Sequence, residues 1–429
     1  MKEKISRLYS PCVIEIFIIL FPIIEAITSI IKRNMTVSLS LGIIYKAVFV
    51  IYALLYLAFI NKKSKKTLLI VLAIVVLFCI VNICVVKFSF KSISNISNLI
   101  TLALSVLFFY AYINNGNELK INALVYCVLI YCVLIKVAEA TGTQQATYRG
   151  DLTLGTKGWY YSGNELSAIL SIFLPITIYY AASTLSFAGI ATLILQIQTM
   201  LSIGTKTSLI VPIFVVIVYG TLSLINWLKN KSQLSKKILC ILLVLIAYIV
   251  YILPNTASYK FFVVRIKENI QTTEPGINDN NDNQDLDDII ESNIDNFILN
   301  GRSDFLKAQK ELYTNTTVLE KLFGTKYENR LGFDNNKQIK TIEIDMYDIA
   351  ICFGMIGTVL FYFSVIYSIL MYIYSFFKAR SDEEGSVLFI CLCVALAISC
   401  IAGHVLTSST IVIFIAFLIG KLSELVREN

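Results

Sequence analysis

The chain has 429 residues, 57% of them hydrophobic and only 15% charged, with mean hydropathy +0.73; a soluble domain would carry roughly 25% charge. Apolar runs near 20 residues recur throughout, long enough to cross a hydrocarbon core of about 30 Å, and the alternating segments of roughly 10 residues that build a β-barrel are missing. The net charge of +7 does not point to nucleic acid, because the cations sit in short loops, where they set membrane topology.

The fold class that follows is an all-α polytopic membrane protein. Taken in order, the apolar runs predict about twelve spans, at 11–31, 38–60, 67–87, 96–114, 119–140, 163–183, 185–203, 207–226, 237–254, 344–376, 385–402 and 405–424. The chain then divides into a membrane part over 1–254, a large polar loop over 255–343 between spans nine and ten, and a second membrane part over 344–429. The first run follows Lys2, Lys4 and Arg7 without a small-residue cleavage site, so it reads as an anchor and not a cleaved signal. Lysine-rich loops at Lys62–Lys66, Lys229–Lys237 and Lys378–Arg380 alternate with poorer ones. The positive-inside rule then puts both termini in the cytoplasm and the large loop outside. All ten cysteines fall in apolar runs, which predicts buried thiols and no disulfide-stapled ectodomain. With a single histidine, no Cys/His cluster has metal-ligand spacing; neither a metal nor a cofactor is expected.

Charges inside the spans need a reason, since each costs roughly 2.5–3.5 kcal/mol at the bilayer centre. Glu25 and Lys46 lie on consecutive antiparallel spans, either as a bridge or as the lining of a site. Lys136 and Glu139, three apart, pair or snorkel. The loop before span six carries Arg149, then Trp159, then Asn164 and Glu165 at the mouth of an apolar helix. Trp159 and its neighbours suit an interfacial belt or a glycan contact; Asn164 reads as a helix cap or a site residue. In Gly204-Thr205-Lys206-Thr207-Ser208 the adjacent Gly-Lys of a phosphate-binding P-loop is absent, which rejects an NTPase. A cation at a helix N-terminus is left, and that is a fair anion site.

In the large loop, the run 278–288 is rich in Asn and Asp. It mimics a calcium loop and an Asp-x-Asp motif only faintly, and reads best as a flexible acidic insert. From Ser303, apolar residues at near-helical spacing predict an amphipathic helix over 303–314. Arg302 stands at its N-terminus, against the dipole, with a planar fork of donors suited to phosphate. Glu343, Asp345 and Asp348 open span ten; first-turn carboxylates suit the dipole, but three beside an arginine-bearing loop suggest chemistry. His404 falls at a helix end, where a structural and a catalytic role both stand.

In sum these segments resemble the O-antigen ligase and Wzy-type polysaccharide polymerase family, integral-membrane glycosyltransferases of bacterial surface glycans. Gly163-Asn164-Glu165 resembles the family's Asn-containing entry to a middle span, and Gly204–Ser208 its small-residue-Arg segment with lysine for arginine. Gly301-Arg302 and Phe323-Gly324 resemble its loop arginine and later glycine. Glu343-Ile344-Asp345 with Gly354 and Gly357 resembles its span opening followed by Gly-x-x-Gly. Ligases carry a histidine where Glu343 aligns, which leans the resemblance towards a polymerase.

The resemblance implies a metal-independent membrane glycosyltransferase without cofactor, in the bacterial plasma membrane, and no nucleic acid among its partners. It would transfer a polyprenyl-pyrophosphate-linked oligosaccharide to a lipid-linked acceptor on the outer face, working with flippase and chain-length-regulator proteins. Arg302, Lys206 and Arg149 would bind the diphosphate; Glu343 or Asp345, with His404, would serve catalysis; Asn164, Glu165 and Trp159 would touch glycan. The alternatives are a ligase moving glycan to another acceptor and a polysaccharide flippase. A transporter predicts an internal hydropathy repeat and polar residues at mid-membrane; the polar residues here cluster near one surface instead.

Overall fold

The computed structural model of the chain describes residues 8–34, 40–60, 65–86, 90–148, 154–264, 302–326, 330, 342–377 and 383–428. Apolar helices follow one another as α1 (Pro11–Asn34), α2 (Leu41–Leu55, continued by a π turn at Tyr56–Ile60), α3 (Lys65–Val86), α4 (Phe90–Asn114) and α5 (Asn122–Ala140). After them come α6 (Gly163–Thr184), α7 (Phe187–Ile203), α8 (Lys206–Asn230) and α9 (Gln233–Ile252). Two helices of the polar loop follow, α10 (Arg302–Thr314) and α11 (Val318–Phe323). The last three are α12 (Asp345–Phe377), α13 (Glu383–Ile401) and α14 (Ser409–Glu428). Among the described residues, 11 helices are long and apolar enough to cross a membrane, and α7 is a shorter apolar helix. The protein is an all-α polytopic membrane protein, apart from one hairpin that hydropathy did not reveal. Its strands β1 (Ala146–Tyr148) and β2 (Leu154–Thr156) are antiparallel, with Ala146 opposite Thr156.

Helix starts follow local chemistry. Ser162, Ser186, Thr205 and Ser232 each accept the backbone N–H three residues on and so cap α6, α7, α8 and α9. Helix α6 is the central one: 83% of its apolar window is buried, against 17% for α9, which faces outward. Around α6 the core is aromatic. Phe414 meets Phe21 and Phe173, and Phe417 meets Phe109, all edge-on. The Glu25–Lys46 bridge forms, at 3.6 Å, and Lys136 pairs with Glu139 at 2.7 Å.

The polar loop is tied to the membrane part through a break in α12. Gly354 sits at φ 65°, ψ −172°, which interrupts the helix and frees carbonyls above it. In an apolar surrounding those carbonyls must find donors. The Thr325 N–H takes the Ile351 carbonyl at 2.8 Å, and Asn82 Nδ2 takes that of Cys352 at 3.0 Å. Helix α11 enters the break backbone to backbone: a Cβ on Gly354 would overlap Leu322, and one on Gly324 would overlap the Cys352 carbonyl. Buried Arg330 then clamps the Thr325 carbonyl with Nε and Nη2, at 2.9 and 2.7 Å. At its other end α11 has a capping box, Thr317 and Glu320 bonding each other's backbone N–H. Burial works against charge on Glu320, but the Thr317 N–H and hydroxyl and the Lys326 N–H outweigh it and hold the carboxyl below its ordinary value.

Candidate active site

A cavity of about 380 Å³ opens at the seam between α8 and α13, within the usual size of ligand pockets. Its body is apolar, with Ile210 and Phe214 on one side and Ile398 and Ile401 on the other. Its mouth is polar and holds Lys206, Asn164, Glu343 and Tyr148. Three residues singled out in the sequence, from three distant segments, thus meet at one opening. Lys206 is the first residue of α8, directly after the Thr205 cap. Thr205 is itself buried and donates to Ser167 on α6 at 2.6 Å, which joins the starts of the two helices. The hairpin reaches this mouth because Gly155 and Gly204, both at positive φ, press together where a side chain would overlap the Ile203 carbonyl. Tyr148 is held there by stacking on Phe261, ring centroids 4.5 Å apart.

Helix α12 starts at Asp345, one residue after the expected start of span ten, and Glu343 stands before it at φ 64°. His404 stands at φ 63° between α13 and α14. Among the described residues four non-glycines have positive φ, and the other two, Leu185 and Lys231, are ordinary helix C-caps. Residues held in this region cost about 1–3 kcal/mol and persist only where the surroundings over-determine them. Here the surroundings are two carboxylates. Asp348 accepts the N–H groups of Ile342 and Glu343, both at 3.0 Å. Asp345, 1% exposed, accepts the N–H groups of His404, Val405 and Leu406 at 2.6–2.7 Å. It also takes the hydroxyls of Thr407 at 2.6 Å and Ser399 at 3.3 Å. The two turns then close on each other, since a Cβ on Gly403 would overlap the Glu343 carbonyl. The carboxyl of Asp345 is fully engaged as a cradle for the 404–407 turn, and Glu343 lines the cavity.

Glu165, next to Asn164, faces a second opening. Its carboxylate takes the hydroxyl of Ser408, just past the Asp345 cradle, and it lies within electrostatic reach of His404. Asp348 stands in the same relation to His404. Glu25 accepts from Tyr131 at 2.7 Å and from Thr410, and belongs to the same opening as Glu165 and Lys46.

Of the other residues singled out, Arg302 is the first residue of α10, with its side chain outside the described residues, and Arg149 lies outside them altogether. Trp159 donates its indole N–H to Thr143 at 2.8 Å and lines neither opening. The Asn- and Asp-rich run 278–288 also lies outside the described residues. Sequence reading passed over Arg330 and Asn82, which no local motif marks; it noted Asp348 without giving it a task. All ten cysteines are free. Among the described residues no group of three or more His, Cys, Asp or Glu could hold a metal ion.

No curated protein matches the chain. The family described as O-antigen ligase like membrane protein matches residues 9–428, which takes in α1, the cavity mouth, the broken α12 and the cradled 404–407 turn alike. The chain therefore belongs to the O-antigen ligase-like membrane protein family.

Proposed function

We propose that the chain is a surface-polysaccharide polymerase: it transfers an oligosaccharide from a polyprenyl-pyrophosphate donor to a lipid-linked acceptor at the outer face of the plasma membrane. The observation that carries this reading is the two-part cavity. The Lys206 ammonium at the start of α8 suits a diphosphate, and the apolar seam below it suits a polyprenyl chain. Lys206 adds a charge to the N–H groups and positive dipole of a helix N-terminus, which favours an anion. The bond broken is the one between the anomeric carbon and the diphosphate oxygen. The diphosphate leaves with the electron pair, and the new bond forms from the acceptor hydroxyl. Donor energy is stored in the diphosphate, so the reaction needs no ATP.

In this reading Lys206 stabilises the charge developing on the leaving group, with Arg302 and Arg149 from the loops. Glu343 takes the acceptor proton, a step typically worth 10²- to 10⁴-fold. His404 follows Gly403 in the turn that meets the Glu343 carbonyl and assists Glu343, and Asp345 is a positioning residue that holds that turn. Glu343 occupies the place of the family ligases' histidine, and this supports a polymerase over a ligase. Both termini are cytoplasmic in this arrangement, and flippase and chain-length-regulator proteins are its expected partners.

The test uses the purified chain in nanodiscs with a polyprenyl-pyrophosphate repeat unit and neither nucleotide nor added metal. A ladder of lengthened lipid-linked glycans on a gel is expected, lost in Glu343→Gln and in Arg302→Ala. Transfer only to a different added acceptor would replace polymerase by ligase. Movement of the lipid across the bilayer without transfer would replace enzyme by flippase. Normal ladders from both Arg302→Ala and Arg302→Lys would remove Arg302 from the site.

A further inference from the structure

The second opening lies between α1, α2 and the start of α6, with a volume of about 190 Å³. We propose that it is a binding site for an uncharged sugar, and that this sugar is the acceptor end of the growing glycan; the second half of the statement rests on the glycan-transfer reading above.

Four charged residues line the opening, Glu25 and Glu165 against Lys32 and Lys46. Their charges balance two against two, so nothing in the cleft's lining selects for an anion. It offers a dense set of fixed donors and acceptors instead. Carboxylates and ammonium groups together match the alternating donor and acceptor capacity of neighbouring sugar hydroxyls. The carboxylates are held in place from behind. Glu25 is fixed by Lys46, Tyr131 and Thr410, and Glu165 by Ser408. Tyr161, 75% exposed at the rim, presents a free ring face of the kind on which a sugar's C–H face can rest.

An independent observation comes from Ser29. It lines the cleft and is 4% exposed, and its hydroxyl is buried without a hydrogen-bond partner. Buried hydroxyls are nearly always bonded, and an exception asks for an explanation. A ligand hydroxyl in the cleft supplies the missing partner. The cleft is also placed for the reaction, because Asn164 and Glu165 are consecutive residues of α6 and each faces a different opening. A sugar at Glu165 and a diphosphate at Lys206 would meet across the first turn of that helix, beside the turn that Asp345 cradles.

The experiment titrates the full chain in nanodiscs with three probes, the methyl β-glycosides of glucose, galactose and N-acetylglucosamine, read by saturation-transfer NMR. Undecaprenyl phosphate is titrated in parallel. At least one glycoside is expected to bind. Ser29→Ala should weaken it roughly 3- to 10-fold, as one lost hydrogen bond does, while Tm stays level or rises because an unsatisfied hydroxyl is gone. Ser29→Leu should abolish sugar binding by filling the cleft. Lys206→Ala should weaken undecaprenyl phosphate and leave the sugar alone. Failure of all three glycosides to bind the wild type would overturn the proposal. So would binding unchanged in both Ser29 variants, or a Ser29-dependent preference for phosphatidylglycerol over sugar. Sugar binding that follows Ser29 in a chain showing no glycan transfer would keep the site and discard the acceptor role.

Discussion

The two openings at this end of the bundle differ in what lines them. One has an apolar body between α8 and α13 with its polar residues at the mouth; the other is half the volume and is lined by two carboxylates and two ammonium groups. What separates them is the first turn of α6, tied by Glu165 to Ser408 of the 404–408 turn, and in that turn the N–H groups of His404, Val405 and Leu406 all go to one carboxylate, Asp345. The difference teaches that the chain concentrates its order in the partition, leaving the openings on either side free to be chemically unlike.

Breaking the partition should hurt both sides at once. Asp345→Ala removes the acceptor for five donors and leaves buried N–H groups unpaired. Losing one partner of a buried charged network costs about 3–5 kcal/mol. Expected are a large fall in Tm and loss of glycan transfer; a variant of wild-type stability and activity would show that the 404–407 turn does not depend on Asp345. Lys206→Ala touches one opening only. Removing one group that stabilises developing charge costs roughly 10²- to 10³-fold in kcat, with Tm unchanged and partial recovery in Lys206→Arg. Equal loss of kcat in Ala and Arg variants would tie the effect to packing and not to charge.

Gly403→Ala sharpens the comparison at the seam between the Glu343 and His404 turns. The new methyl group meets the Glu343 carbonyl at a positive φ, and about 1–3 kcal/mol of strain follows. Transfer should fall further than Tm does, because Glu343 must shift. The smallest effect lies away from both openings. Glu320 holds its proton less tightly in the folded state than the ordinary carboxyl, near 4.3, of the unfolded chain. Its contribution is therefore present above that value and lost as pH falls through the lower folded value. Hydrogen exchange at Gly324 and Thr325 should quicken as pH drops below about 4, beyond the intrinsic trend, in the wild type but not in Glu320→Gln.

The legible part of this protein was what hydropathy and local spacing carry. Apolar runs located the helices, and a lysine after Gly-Thr located the start of α8. The three mouth residues were named from their own short neighbourhoods, without any means of seeing that they meet. What hid the rest was distance along the chain. Asp345 looks like a dipole-matching first-turn carboxylate until a turn about 60 residues further on supplies its partners. Arg330 and Asn82 have no meaning until the break at Gly354 creates carbonyls for them to satisfy. Glu343 was placed at the opening of a span by pattern, whereas its use follows from a left-handed backbone that no periodicity encodes.

The most direct test of the central claim, that a polyprenyl diphosphate sits with its head at Lys206 and its tail in the α8–α13 seam, is photo-crosslinking. A polyprenyl-pyrophosphate analogue with a diazirine in its first isoprene units would be irradiated with the chain in nanodiscs, and the labelled peptides mapped. Label is expected on α8 around Ile210 and Phe214 and on α13 around Ile398 and Ile401, competed by the natural lipid and lost in Lys206→Ala. Label confined to the α1–α2–α6 cleft, or labelling of the seam unchanged in Lys206→Ala, would contradict it.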